Sequence, residues 1–182
     1  MSEQSLPPLA LSVRQPWAWA IIFGGKDIEN RSEGSTRARG MDCRSICIHA
    51  ASSMREKEYR WALWRLQQDG VTLPRPDEMV YGGIIGMVEV VDIVSHSDSP
   101  WFGGPRGLVL SNPQPIDPIP AKGELGYFCW KTGTDFTAPK PWMINYTRTN
   151  DDSLTGELFP DAPLSFREPP DKPFGRSSKK DD

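Results

Sequence analysis

The sequence predicts an α+β domain: a small, partly closed β-barrel with two attached helices, followed by a Pro-rich C-terminal extension. Three observations carry this expectation. Short apolar or β-branched runs alternate with two helical stretches in the order strand, helix, strand, strand, helix and then several strands. Eighteen Pro and sixteen Gly in 182 residues describe short elements joined by turns, which argues against long helical bundles. Beyond about residue 135 the chain turns to prolines and scattered charges, so the folded domain is assigned to 9–134 and the irregular extension to 135–182.

"LALSV" reads as the first strand. In "RQPWAWAIIFGG", Pro16 suits a first helical turn, the apolar residues run through Phe23, and Gly24 or Gly25 supplies the stop. "KDIENRS" is a charged strand candidate, and "SICIHA" (45–50) a β-branched one. Ser53 and Glu56 have the spacing of a capping box opening a helix over 54–69, with Gly70 as its stop. Tyr59, Ala62, Leu63 and Leu66 follow helical spacing and should face the core, with Trp61 and Trp64 packing beside them and Arg55, Glu56, Arg60 and Gln67 in water. "GGIIGMVEVVDIVS" is apolar on both alternating faces, as in a central strand interrupted by Glu89 and Asp92. "RGLVLSN" and "GYFCW" complete the strands. In the extension, "PWMINYTRT" and "LTGELFP" keep enough aromatic and apolar residues to dock back as an arm, and the final stretch "REPPDKPFGRSSKKDD" is expected to be disordered.

A formal charge of -3 gives no global pull toward duplex nucleic acid, so any nucleic-acid site must be local. Cys43, Cys47 and Cys129 lack the paired spacing of a structural zinc site, even with His49 nearby, and read as free thiols. No apolar run approaches membrane-spanning length and the N-terminus lacks a secretory pattern. A cytoplasmic protein without metal or cofactor is the expectation.

"GGKDIENR" places dense charge directly after the apolar "WAWAIIF". If residues 26–31 are extended, Asp27, Glu29 and Arg31 share one face and Lys26, Ile28 and Asn30 the other. An edge strand with two wet faces would account for this. A Lys, a Glu and an Arg held at the corner after a buried helix point instead to a site.

Gly24-x-Lys26-x-x-Glu29-x-Arg31 matches in full the G-x-K-x-x-E-x-R signature of the ASCH domain, a PUA-like small β-barrel. The lead-in "LSVRQPWAWAI", the blocks "RARG" and "ICIHA", the strand "GGIIGMVEVVDI", and Trp101, "GPRGLVL", Pro115 and "KGELGYF" are similar to that family in the same order, over roughly residues 9–130. Two features depart from it: the extra residues "MDCRS" before "ICIHA", and the extension after about residue 135.

The resemblance implies recognition of RNA or a modified nucleotide in a cleft lined by the motif. Such a site needs a cation for phosphate, polar groups for a base edge and a plane for stacking. Lys26 can serve phosphate or a carbonyl, Glu29 and Asn30 base edges, Arg31 either, and Trp17 stacking, with Arg14 and Gln15 extending the polar wall. Arg39, with Arg31, Arg37 and Arg44, offers a small basic lip against Glu33 and Asp42. The structural alternatives are that Trp17 anchors its helix and that Glu29 pairs with Arg31 or Arg14.

One branch of the superfamily resembles an amidohydrolase that removes an acyl group from cytidine with a Lys and a Thr nucleophile three residues apart. Here that second position is Glu29, so the Thr mechanism is not expected; Lys26 and Glu29 remain candidate catalytic residues acting on water. Ribonuclease activity, credited to other relatives, would draw on Glu29, Lys26 and His49. An adaptor role for the Pro-rich tail, with an unspecified protein partner, is the third reading.

Overall fold

The computed structural model describes residues 5–34 and 41–148. Its elements are β1 (Leu9–Val13), α1 (Trp17–Phe23), β2 (Ile28–Arg31), β3 (Ser45–Ala50), α2 (Glu56–Gln68), a 3₁₀ turn (Pro76–Glu78), β4 (Gly83–Val94), β5 (Arg106–Pro120), β6 (Tyr127–Cys129) and the single-turn helix α3 (Pro141–Ile144). The strands form one mixed sheet in the order β2-β5-β4-β3-β1-β6, curled into a half-barrel. Among the described residues only β1 and β3 run parallel; the other pairs are antiparallel.

The curl has a local cause. Register shifts interrupt the β3/β4 ladder after Ile48 and the β4/β5 ladder at three places, and each bulge bends and twists its strand. β5 continues well past the expected "RGLVLSN", through Pro113, Pro115, Pro118 and Pro120. Prolines are tolerated there because β2 pairs with β5 only from Arg106 to Val109, leaving the rest of that edge, among the described residues, without a ladder neighbour that would need their missing N–H.

α1 fills the inner face. Ala18, Ile21 and Ile22 join Leu11, Val13, Ile46, Ile48, Ile85, Val88, Leu108 and Leu110 in one buried cluster. The helix sits so low on the sheet that a Cβ at Gly86 would lie 2.7 Å from both Ile22 Cδ1 and the Gln114 carbonyl oxygen. α2 covers the other side of α1. Tyr59, Trp61, Ala62, Leu63 and Leu66, the face expected from periodicity extended by Trp61, pack with Ala20, Ile28 and Trp101. The start of α2 differs from the expected one: the helix begins at Glu56 after Arg55, and no side chain caps it. Its end is a Schellman motif, with Gly70 N–H donating to the Gln67 carbonyl and Val71 N–H to that of Leu66, both at hydrogen-bonding distance.

The segment after residue 135 begins against the same cluster. Met143 and Tyr146 are buried there, Tyr59 and Tyr146 meet edge-on at 4.9 Å, and Arg148 donates to the Leu73 carbonyl at 3.0 Å. α3 is therefore, among the described residues, a helix beyond the two expected. "LTGELFP" and the terminal stretch lie outside the described residues. Among the described residues no helix is long and apolar enough to cross a membrane, and no group of three or more His, Cys, Asp or Glu is disposed to hold a metal. Cys43 and Cys129 are exposed thiols. Cys47 is buried, which pushes its thiol pKa up to about 11.

Candidate functional site

α1 ends in a tight reversal that delivers the charged motif. The N–H groups of Gly24 and Lys26 both donate to the Ala20 carbonyl, and Gly25 takes φ +73°, a region that side chains disfavour. This turn points the Lys26 side chain inward. Regular β2 begins only at Ile28, so the simple alternation that put Lys26 on the face opposite Glu29 does not hold. Lys26 Nζ instead donates to Glu29 Oε2 at 3.1 Å and to the Ile28 carbonyl.

Glu29 is held from two sides. Its Oε1 lies 3.2 Å from Arg31 Nη2, and Arg31 Nη2 also donates to the Ser12 carbonyl at 3.0 Å. Lys26 is 5 % exposed and Glu29 9 %, so this is a desolvated array rather than a surface pair. Burial lowers the Lys26 pKa from its ordinary value, and the Glu29 carboxylate offsets that only in part. Glu29 lies opposite Leu108, whose side chain is in the inner cluster, so Glu29 and Arg31 face the inside of the half-barrel. The bond from Arg31 on edge strand β2 to the carbonyl on β1 crosses the seam that the sheet leaves open.

The other expected site residues have different settings. Gln15 is buried and spends its amide on the fold, donating to the Val80 carbonyl at 3.0 Å and accepting from Trp19 N–H at 2.9 Å. Asn30 does the same: its Nδ2 donates to the Trp101 carbonyl and its Oδ1 accepts from Gly103 N–H, both at 2.8 Å, fixing the loop before β5. Arg14 pairs with Glu58 of α2 at 2.7 Å. Trp17 is half-buried against Trp61 at 5.2 Å and Trp101 at 6.5 Å, in tilted and edge-on contacts that anchor α1. Arg37 and Arg39 lie outside the described residues. Arg44 forms a two-pronged pair with Asp42 and stands over the Tyr127 ring at 5.9 Å.

His49 is not brought to this cluster. It shares the outer face of the sheet with Cys47 and meets Phe128 edge-on. Its Nε2 donates to the Ala121 carbonyl at 3.0 Å, since a carbonyl can only accept, and its Nδ1 then accepts from Ser12 Oγ at 2.9 Å. Burial lowers its pKa, with the Ala121 bond a smaller opposing effect.

Two neighbours of the array went unnoticed in the sequence. Tyr127 on β6 packs against the inner cluster, donates its hydroxyl to the Asp42 carbonyl at 3.0 Å, and has its pKa pushed up to about 12 by burial and by Asp42. Arg106 opens β5 directly opposite Arg31. Neither carries a local signal, because each reaches the motif only through strand pairing distant in sequence. No protein-family model matches this chain, and no curated protein matches it.

Proposed function

We propose that this chain is an ASCH-type, PUA-like domain that binds RNA or a modified nucleotide through the face carrying Lys26, Glu29 and Arg31. The observation that supports this best is the convergence of the three signature side chains on one buried array at the seam of a curled half-barrel. A chain that needed these residues only as a wet edge strand would leave them in solvent. Of the other residues implied by the resemblance, Trp17 and Arg14 keep partial exposure and can border a ligand, whereas Gln15 and Asn30 act by holding the framework.

A hydrolase working on an acylated cytidine-type nucleoside, or on RNA, is the second reading. It is favoured by the lowered pKa of the buried Lys26 amine. Glu29 is paired with two cations at once, which suits a positioning carboxylate better than a free general base.

The test is to incubate the protein, Lys26→Ala and Arg31→Lys with total RNA and with a panel of modified nucleosides. Retained ligands and nucleoside content are read by mass spectrometry, and RNA length in parallel. Selective retention by the wild type and its loss in folded Lys26→Ala support binding. Disappearance of one modification, or shortening of RNA, in the wild type alone supports the enzyme. Equal retention by all three proteins with no chemistry overturns both.

A further inference from the structure

The antiparallel pairing of β2 with β5 sets Arg31 directly against Arg106. Residues opposed in this way share a face, and two residues along, Glu29 faces the fully buried Leu108, so both arginines rise from the inner side of the sheet. Like charges directly opposed across a ladder are unfavourable unless something of opposite sign lies between them. The acids nearby meet that need only in part. Glu29 is shared between Arg31 and Lys26. The Glu33 carboxylate approaches Arg106 Nη2 no closer than 3.9 Å and is 59 % exposed. Asp42 is engaged by Arg44.

A second, independent observation concerns Arg31 itself. Its Nη2 is used twice, yet its buried Nε–H has no hydrogen-bond partner among the described residues. A buried guanidinium N–H without an acceptor is costly, and it marks a place where an acceptor would be bound strongly.

We propose that Arg31 and Arg106 form an anion subsite that takes a phosphate group of the ligand. The preferred ligand is then a nucleotide or an RNA strand rather than a free nucleoside. Guanidinium groups are the side chains best suited to pair with the oxygens of a tetrahedral phosphate, these two come from directly opposed residues, and the Tyr127 ring, packed against the inner cluster, lies under Arg44. This inference rests on the nucleotide-binding reading above for the rest of the ligand. The subsite itself can be tested without it.

The full chain, Arg106→Gln and Arg106→Lys are melted in chloride and in inorganic phosphate at equal ionic strength. The same three proteins are titrated with cytidine and with cytidine 5′-monophosphate. In chloride, Arg106→Gln is expected to melt about 1–3 °C higher than the wild type because the repulsion is relieved. Phosphate should raise the melting point of the wild type, raise that of Arg106→Lys less, and leave Arg106→Gln unmoved. The monophosphate should bind the wild type about tenfold tighter than cytidine, an advantage that Arg106→Gln loses. A lower melting point for Arg106→Gln together with an intact phosphate response would show that Arg106 is structural and overturn the proposal. A phosphate response that depends on Arg106, without binding of either cytidine compound, upholds the anion subsite and counts against the nucleotide reading. Equal affinity for nucleoside and monophosphate overturns the subsite and leaves that reading standing.

Discussion

Replacing Glu29 by Gln removes the one carboxylate that Lys26 and Arg31 share while keeping its shape. The Lys26 ammonium would retain only the Ile28 carbonyl, and Arg31 only the Ser12 carbonyl, as strong acceptors. Breaking a desolvated ion pair from one side costs about 3–5 kcal/mol. The lower end applies here, because Arg31 keeps 18 % of its side-chain surface in solvent and Lys26 can shed its proton, its pKa already being lowered by burial. A loss of about 3 kcal/mol corresponds to a fall of about 6–12 °C in melting temperature for a chain of this size. Urea unfolding of Glu29→Gln, Lys26→Met and the double variant measures the coupling directly. The double variant should be more stable than the sum of the single losses predicts by about 1–2 kcal/mol, since the buried charge and its missing partner leave together. A single loss under about 1 kcal/mol, or additive effects within about 0.5 kcal/mol, would show that the array is solvated and refute the reasoning.

Acidification should destabilise the protein through His49. Its folded pKa lies below the ordinary 6.5, so as pH falls past that value the unfolded chain takes up a proton that the folded chain refuses, and stability drops until the lowered folded pKa is reached. The slope of unfolding free energy just below about pH 6.5 should flatten in His49→Gln, and an unchanged slope would assign the effect elsewhere. Gly86→Ala should cost about 1–3 kcal/mol by pressing α1 off β4, visible as a lower urea midpoint. A thiol reagent at pH 8 should label Cys43 and Cys129 rapidly and Cys47 only after unfolding, because Cys47 is buried and its thiol is pushed up to about 11. Rapid modification of all three in the native state would contradict the packing of the outer face.

Much of the architecture was legible because it is written in local periodicity. The seven-residue α1, the core face of α2 and the Gly70 stop follow from residues within a turn or two of each other. The capping box at Ser53 was not realised, since the chain stays non-helical until Glu56. The prolines of β5 concealed a strand that survives because part of its edge has no ladder partner. The composition of the site was visible in the motif, but its geometry was not. Alternation separated Lys26 from Glu29, whereas the turn at Gly25 reunites them. His49 looked available and lies on the outer face, and Arg106 acquires meaning only through its pairing with Arg31. Each of these depends on tertiary contacts that no sequence window contains.

The bond from Arg31 to the Ser12 carbonyl makes one side chain serve as a clasp between strands that no backbone ladder joins. Position 31 is thereby constrained twice, by shape as well as by charge. Lysine would preserve the charge, but its ammonium on a shorter, more flexible stem would have to reach the point where Arg31 Nη2 meets both the Glu29 carboxylate and the Ser12 carbonyl. A weakened Arg31→Lys protein would therefore report a loosened clasp as readily as a lost ligand contact. Arg106, which carries no such duty among the described bonds, is the cleaner place to ask what the inner face recognises.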